Sequence, residues 1–360
     1  MVRKRTIFFT KLILTLLMSA CAPAAATPVV EEKVPTTDLS GIKTYLLDKS
    51  SELTSGSKSL KEASDKYYAL VEAAGFDYAA TWKSNPTEVS AALIEAKSAW
   101  MAASPLYEQM EGIVAGTPSL AEYDVILDAG ASGDDDPENA VPFDLTLPDG
   151  RVLPKPGNLF GVLESTLWGT YTDYTTGIEA DLDNNGTVDF GEKLPDANVL
   201  KAGADALDKY ITELGTASSE WQPSESDAFT ALVVMVPTMS EYFNSWKNSR
   251  FILGNDSEQR DFVVISRLAD IQNILGSLQI VYGEVRPLVE SADAAQAVQI
   301  EQSLKDLNNF VSDVYAREQG GYQYTPEEAD VLGAEAQNRA TAIAGQVAQI
   351  AAKLNISIEE

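Results

Sequence analysis

The stretch TPEEADVLGAEAQNRATAIAGQVAQIAAKL, residues 325–354, has the pattern of a long amphipathic helix with a well-defined start. Thr325 is the expected N-cap, Pro326 occupies the first helical position, and Glu328 completes a capping box. The apolar residues that follow recur at helical spacing to Leu354. Long helices of this kind, joined by short connections, favour antiparallel bundles.

Apolar residues recur at helical spacing through most of the remaining chain. We expect Ser55-Gly56-Ser57 to interrupt the first of these helices, and Pro105 and Pro237 to kink two others. The chain is therefore predicted to be all-α, with two four-helix bundles at 38–196 and 197–354. The further helices are predicted over 38–74, 87–114, 119–127, 159–168, 197–217, 226–246, 257–285 and 292–316.

Residues 130–158 form an irregular insert, because proline, glycine and aspartate punctuate them. Alternating apolar residues around Asp149-Gly150 predict a small β-hairpin. The run Asp134-Asp135-Asp136 fits a solvated turn better than it fits a cation site.

A second part of the insert, DLDNNGTVDFGE at residues 181–192, matches the EF-hand calcium loop position by position. Gly186 supplies the sharp turn, and Val188 is expected to be the apolar plug. Because no second hand accompanies the loop, we predict a calcium site that stabilises the insert; an ion-free turn rich in Asp and Asn is the alternative. The predicted calcium ligands are Asp181, Asp183, Asn185, Thr187 through its carbonyl, Asp189 and Glu192.

The N-terminus has the pattern of an export signal. A basic start precedes the apolar stretch 7–18, which is shorter than the roughly 20 residues that span a bilayer. LMSAC, ending at Cys21, resembles a bacterial lipobox and contains the sole cysteine. We predict a signal peptide at 1–20, lipidation of Cys21 and a tether at 21–37, which would anchor the protein to the periplasmic or cell-surface face of a bacterial membrane. An ordinary signal peptide with an incidental cysteine is the alternative.

The composition excludes several classes of function. With 26 Lys+Arg against 54 Asp+Glu, the formal charge of −28 argues against nucleic acid and suits a cationic partner. The chain has no histidine, which excludes the usual zinc-peptidase sites and nucleophiles activated by a histidine base. The possible metal ligands that remain are carboxylate, carbonyl and hydroxyl oxygens, and hard cations prefer such ligands.

The stretch NLFGVLESTLWG, residues 158–169, resembles the signature helix of the imelysin-like family. This family includes the EfeO- and EfeM-type iron-uptake lipoproteins. Its helix carries Gly-x-His-x-x-Glu followed by Leu-Trp, and here Glu164 and Leu167-Trp168-Gly169 match. Gly161 stands at the histidine position, and Leu159 at that of the glycine.

Two further segments support the resemblance. ISRLADIQ, residues 265–272, is similar to the Asp-Leu-x-Asp-Phe/Ile-Gln run of EfeO-like proteins. Asp270 and Gln272 match that run, whereas Arg267 replaces its first aspartate. YEQME, residues 107–111, resembles the family's Tyr-Glu-x-x-Glu.

The resemblance implies two related helical bundles on the outer side of a membrane and a role in iron acquisition. Some members have been called metallopeptidases, but without histidine we expect no enzyme activity here. Glu108, Glu111, Glu164 and Asp270 match acidic family positions. Of these, Glu164, Glu111 and Asp270 are the predicted ligands of a second, oxygen-only metal site, which would favour iron or another hard cation over zinc.

Two functions stay open at this point. The first is a lipid-anchored, calcium-stabilised envelope protein that binds iron or another cation for metal uptake. The second is a structural lipoprotein that has lost the family metal site and binds other envelope proteins. Convergence of Glu164, Glu111 and Asp270 in one buried pocket would favour the first function, and scattered, solvent-facing carboxylates the second.

Overall fold

The computed structural model describes residues 37–359. The predicted signal peptide, Cys21 and the tether up to residue 36 lie outside the described residues. Within them, helices make up most of the chain, which confirms the predicted all-α class. The helices are α1 Ser40–Ala73, α2 Tyr78–Ser84, α3 Pro86–Val114, α4 Ala121–Asp124, α5 Leu159–Trp168, α6 Ala197–Glu220, α7 Glu225–Met235, α8 Met239–Asn248, α9 Arg250–Leu253, α10 Arg267–Ala292, α11 Ala294–Gln319 and α12 Pro326–Leu354.

Helix α1 runs unbroken through Ser55-Gly56-Ser57, so the predicted interruption is wrong. The reason is packing between helices. A Cβ at Gly56 would lie 3.3 Å from the Cβ of Ala103 on α3, so the small residues allow α1 and α3 to approach closely. Pro105 lies inside α3, which continues through it from Pro86 to Val114.

Pro237 separates α7 from α8, as predicted, and its backbone leaves the helical region at φ −83° and ψ 22°. The helix predicted from residue 257, in contrast, begins only at Arg267, with Ser266 as its N-cap. The backbone N–H groups of Phe262, Val263 and Val264 bond to the side chain of Glu164. They are therefore not available to a helix.

The long helices pack in two groups. In one, α1 lies against α3 and α6, and α5 packs on α6. In the other, α10 lies against α11, and α12 against α8, α7 and α11. The contact of α10 with α3 joins the groups, and the described residues form one compact unit. The predicted boundary at residue 197 places α6 in the second bundle, whereas α6 packs on α1 of the first group.

The insert contains two small antiparallel hairpins. Strands β1, Leu145–Thr146, and β2, Val152–Leu153, pair around Asp149-Gly150, which confirms the predicted hairpin. Strands β3, Thr175–Glu179, and β4, Lys193–Pro195, flank the loop at 181–192. No helix among residues 37–359 has the length and hydropathy needed to cross a bilayer.

Candidate metal centres

Five carboxylates and one arginine are buried together where α3, α4 and the start of α10 meet. We call these residues the acidic cluster. Each of the carboxylate residues is at most 8 % exposed. The cluster consists of Glu108 and Glu111 on α3, Asp124 at the end of α4, Asp128 in the π-helical turn Val125–Ala129, and Arg267 and Asp270 in the first turn of α10.

Helical spacing brings the acidic side chains to one place. Glu108 and Glu111 are three residues apart, and therefore lie on one face of α3. The π-helical turn continues α4 and places Asp128 opposite that face. Carboxylate oxygens of Glu108, Glu111 and Asp128 lie within 4.8 Å of one another. This separation suits a single cation at about 2.0–2.6 Å from each oxygen.

Only some of the carboxylate oxygens in the acidic cluster accept hydrogen bonds. Tyr107 Oη donates to Asp124 Oδ1 at 2.7 Å, and Tyr242 Oη donates to Glu111 Oε1 at 2.5 Å. Within residues 37–359, Glu108 Oε2 and Glu111 Oε2 are buried and have no hydrogen-bond partner. Because leaving a buried polar atom unpaired costs about 1–3 kcal/mol, and more for a charged group, these two oxygens are suited to receiving a ligand.

Arg267 supplies the positive charge of the cluster. Its Nη1 lies 2.8 Å from Asp270, 3.8 Å from Glu108 and 4.0 Å from Asp128. The guanidinium also stacks on the ring of Phe262, at 3.7 Å from its centroid. Arg267 is the one positively charged side chain that these ion pairs bring to the five carboxyl groups of the cluster, so the cluster can accommodate further positive charge.

Burial raises the pKa values of four carboxyl groups of the cluster, those of Glu108, Asp124, Asp128 and Asp270. The pKa of Asp128 is raised to about 8, chiefly by desolvation, and that of Asp270 to about 6, with Arg267 opposing the rise in both cases. Desolvation also lifts the pKa of Glu108 and that of Asp124 well above their ordinary values, and neighbouring carboxylates add to the rise. Without a cation, the cluster therefore holds protons at neutral pH.

The three predicted ligands of the second site have different surroundings. Glu111 belongs to the closely spaced set, whereas Asp270 is paired with Arg267. Glu164 accepts hydrogen bonds from the backbone N–H groups of residues 262, 263 and 264, at 2.6, 2.9 and 3.0 Å. Glu164, Asp270 and Asp128 line one small cavity, but the described structure does not bring the three predicted residues into one ligating set.

Sequence reasoning missed Asp124 and Asp128. They lie one helical turn apart in AEYDVILDA, residues 121–129, on either side of the apolar residues Val125-Ile126-Leu127. Acidic residues within a short buried helix were the available signal.

A larger cavity of about 500 Å³ opens beside the cluster. We call it the side cavity. Asp128 and Arg267 of the cluster line it, together with Gly161 of α5 and Asp261 and Arg260 of the preceding segment. Its volume falls in the range of pockets that bind small ligands.

The loop at 181–192 is a second candidate centre. Carboxylate oxygens of Asp181, Asp183 and Glu192 lie within 4.8 Å of one another. Glu192 folds back over the start of the loop and accepts hydrogen bonds from the N–H groups of Leu182, Asp183 and Asp189. The last ligand position of the motif therefore faces the first ones.

The other predicted ligands of the loop are joined by their own hydrogen bonds. The amide of Asn185 donates to Asp183 and Asp189, each at 3.0 Å, and Thr187 Oγ1 donates to Asn185 Oδ1. Val188 is 46 % exposed, so the expectation of an apolar plug is wrong. In a single loop flanked by strands, no second hand covers this side chain.

Long helices that enclose buried carboxylates define this chain as a helix-bundle protein with a candidate cation site in its interior. The model of the imelysin family, which is also called peptidase M75, matches residues 46–354, from within α1 to the end of α12. The chain therefore belongs to the imelysin family, as its signature helix predicted. No curated protein matches the chain.

Proposed function

We propose that this protein is a lipid-anchored, calcium-stabilised imelysin protein of the bacterial envelope that binds iron or another hard cation for metal uptake. One observation carries the proposal: Glu108, Glu111 and Asp128 place buried oxygens within 4.8 Å of one another. Two buried carboxylate oxygens of this set lack hydrogen-bond partners among residues 37–359. Membership in the imelysin family supports the iron-related role.

The ligand chemistry selects the kind of cation. A site built from carboxylates and hydroxyls favours Fe(III), Mn²⁺ or Ca²⁺ over the softer transition metals. The sequence contains no histidine, so an imidazole-bound zinc that activates water has no ligands here. Binding of a cation as cargo, without peptide hydrolysis, is the function that these residues fit.

Metal analysis of the full chain, purified without chelator, tests this proposal. We expect calcium together with iron or manganese, and loss of the second metal in Glu111→Gln. Glu122→Gln, an exposed acid on α4, is the matched control and should keep both metals. The same second-metal content in wild type and Glu111→Gln would contradict a site in the acidic cluster.

A second candidate function is that of a structural or interaction protein, and the position of Arg267 favours it. The guanidinium contacts Asp270 and faces Glu108 and Asp128, so it supplies part of the positive charge that a metal would bring. Arg267→Gln separates the two functions. A cation-binding protein should bind Mn²⁺ more tightly in this variant, whereas a structural protein should lose thermal stability and still bind no Mn²⁺.

A further inference from the structure

The chain contains one Asn-Gly sequence, Asn185-Gly186, in the loop at 181–192. Both residues are exposed, and Gly186 has a φ of +93° with open space where a Cβ would stand. In such a sequence the backbone nitrogen of glycine attacks the side-chain carbonyl carbon of asparagine, because glycine has no side chain to hinder the approach. The product is a five-membered succinimide ring, and the amide nitrogen of asparagine leaves as ammonia.

A carboxylate lies on the nitrogen that would attack. Gly186 N–H donates a hydrogen bond to Asp181 Oδ2 at 2.8 Å, and Asn185 N–H donates to Asp181 Oδ1 at 3.0 Å. Both oxygens of Asp181 thereby hold it against this stretch of backbone. A general base must lie within hydrogen-bond distance of the proton that it removes. Asp181 is therefore placed to take the proton of the Gly186 nitrogen as the ring closes.

Two donors lie on the carbonyl oxygen that would be attacked. Thr187 N–H and Thr187 Oγ1 both donate to Asn185 Oδ1, at 2.8 and 2.6 Å. Attack at the carbonyl carbon places negative charge on this oxygen, and fixed donors stabilise such charge. The nitrogen that would leave, Asn185 Nδ2, lies 3.0 Å from a carboxylate oxygen of Asp183 and of Asp189. The loop therefore brings a base and a pair of oxyanion-stabilising donors to one asparagine.

We propose that Asn185 is a site of self-modification, which deamidates to aspartate and isoaspartate in the calcium-free loop and is protected when calcium is bound. The protection rests on the calcium site of the proposed function. A bound ion takes oxygens of Asp181 and Asn185 as ligands, so neither the base nor the attacked carbonyl is free to react. Occupancy of the loop by calcium therefore decides whether the reaction proceeds.

The reaction needs only water as a second reactant. A bond forms between the Gly186 nitrogen and Asn185 Cγ, while the bond from Cγ to Nδ2 breaks. The proton of the Gly186 nitrogen passes through Asp181 to the departing nitrogen, which leaves as ammonia. Water then opens the ring at either carbonyl, which gives aspartate or isoaspartate at position 185. In isoaspartate the backbone runs through the former side chain, and the extra backbone atom moves the later ligands out of the spacing of the calcium motif.

Peptide mapping of the full chain by mass spectrometry, after incubation at neutral pH in calcium or in chelator, tests this proposal. Deamidation raises the mass of the peptide that contains Asn185, because OH replaces NH₂. At free calcium a hundred times its Kd, about 1 % of the loops are empty, so modification should be about a hundredfold slower than in chelator. Asn255, which is exposed and precedes Asp256, is the internal control and should react at the same slow rate in both conditions.

Two variants, compared in chelator, test the role of Asp181 as the base. Asp181→Asn removes the carboxylate from the Gly186 N–H group and should slow deamidation about tenfold or more. This is less than the 10²–10⁴-fold of general bases in enzymes, because the loop is exposed. Asp189→Asn is the matched control, since it removes a carboxylate from the same loop that is not bonded to Gly186. It should react at a rate close to that of wild type.

The outcomes that would overturn the inference can be told apart. An unmodified Asn185 after incubation in chelator, or equal rates for Asp181→Asn and wild type, would show that the loop does not promote its own modification. Equal rates in calcium and chelator, with a melting temperature that still rises in calcium, would refute the protection and leave the calcium site standing. If calcium changes neither the rate nor the melting temperature, the calcium site of the proposed function fails as well.

Discussion

Removal of calcium from the loop at 181–192 should lower the thermal stability of the whole protein. Three carboxylates, Asp181, Asp183 and Glu192, hold oxygens within 4.8 Å of one another. At that distance two unit charges repel by about 1 kcal/mol in water, and by about 3 kcal/mol at the effective dielectric constant of a protein surface. A bound Ca²⁺ replaces this repulsion with attraction.

The loop is anchored to the helical core, so its state should affect the melting of the chain. Lys97 Nζ on α3 donates a hydrogen bond to the carbonyl oxygen of Gly191 at 2.6 Å. Gly191 itself, with a φ of +86°, lies against the indole of Trp168 at the end of α5. Disorder in the loop therefore removes contacts from two core helices and exposes Trp168 to water.

The expected size of the effect follows from ligand linkage. Free calcium at a hundred times its Kd stabilises the folded state by about 2.7 kcal/mol. With an entropy of unfolding of about 2.1 cal/mol/K per residue, a folded chain of this size shifts by about 1.5 °C per kcal/mol, so the melting temperature should rise by about 4 °C. Calorimetric melts in calcium and in chelator measure this difference, and the fluorescence of Trp168 should change with it.

The double variant Asp181→Ala, Glu192→Ala should melt at the same temperature with and without calcium. Asp134→Ala, Asp136→Ala in the other acidic turn is the control and should keep the full response. Identical melts of wild-type protein in calcium and chelator would refute the reasoning, as would an equal loss of response in the control.

Three other predictions concern the rest of the molecule. The pKa of Asp128 is about 8 in the folded state against an ordinary 3.8, so the folded protein keeps a proton that the unfolded chain releases. Stability of the cation-free protein should therefore fall as pH rises from about 4 to 8, and urea unfolding in EDTA that shows a flat or rising trend would contradict this. Cys21→Ser should move the protein from the membrane to the soluble fraction, and continued sedimentation with membranes would argue against lipidation. Gly56→Leu should destabilise the fold by about 1–3 kcal/mol through overpacking against Ala103, whereas Gly276→Ala, which has open space around it, should be neutral or stabilising; similar melting of the two variants would contradict the packing argument.

Short sequence motifs correctly predicted those helices and hairpins whose ends are set by hydrogen bonds between residues close in sequence. The capping box of Thr325 and Glu328 sets the start of α12 at the predicted residue, and the structure shows an Asn158 cap at the predicted start of α5. The hairpin around Asp149-Gly150 formed as predicted because turn chemistry acts over a few residues. The interruption at Gly56 was predicted wrongly, because the same small residues that weaken an isolated helix allow α1 to pack closely on α3.

The sequence of the segment before α10 does not by itself predict that this segment is irregular. Its apolar residues, FVVI at 262–265, fit a helix, but the N–H groups of the first three bond to Glu164, about a hundred positions earlier in the chain. Only the tertiary structure shows this competition. The same three hydrogen bonds engage the side chain of Glu164, which the family resemblance predicts as a metal ligand.

The two main departures from the family pattern, Gly161 and Arg267, lie on the same side cavity. Gly161 leaves room for the carboxylate of Asp261, and Arg267 adds a fixed positive charge among the cluster carboxylates. A protein that takes part in uptake must release its cargo as well as bind it. Because the guanidinium offers the carboxylates a partner when the cation leaves, Arg267 lowers the cost of the empty state. Under the proposed function, Arg267→Gln should therefore slow the release of Mn²⁺ to a competing chelator, and release at the wild-type rate would show that the arginine serves the fold alone.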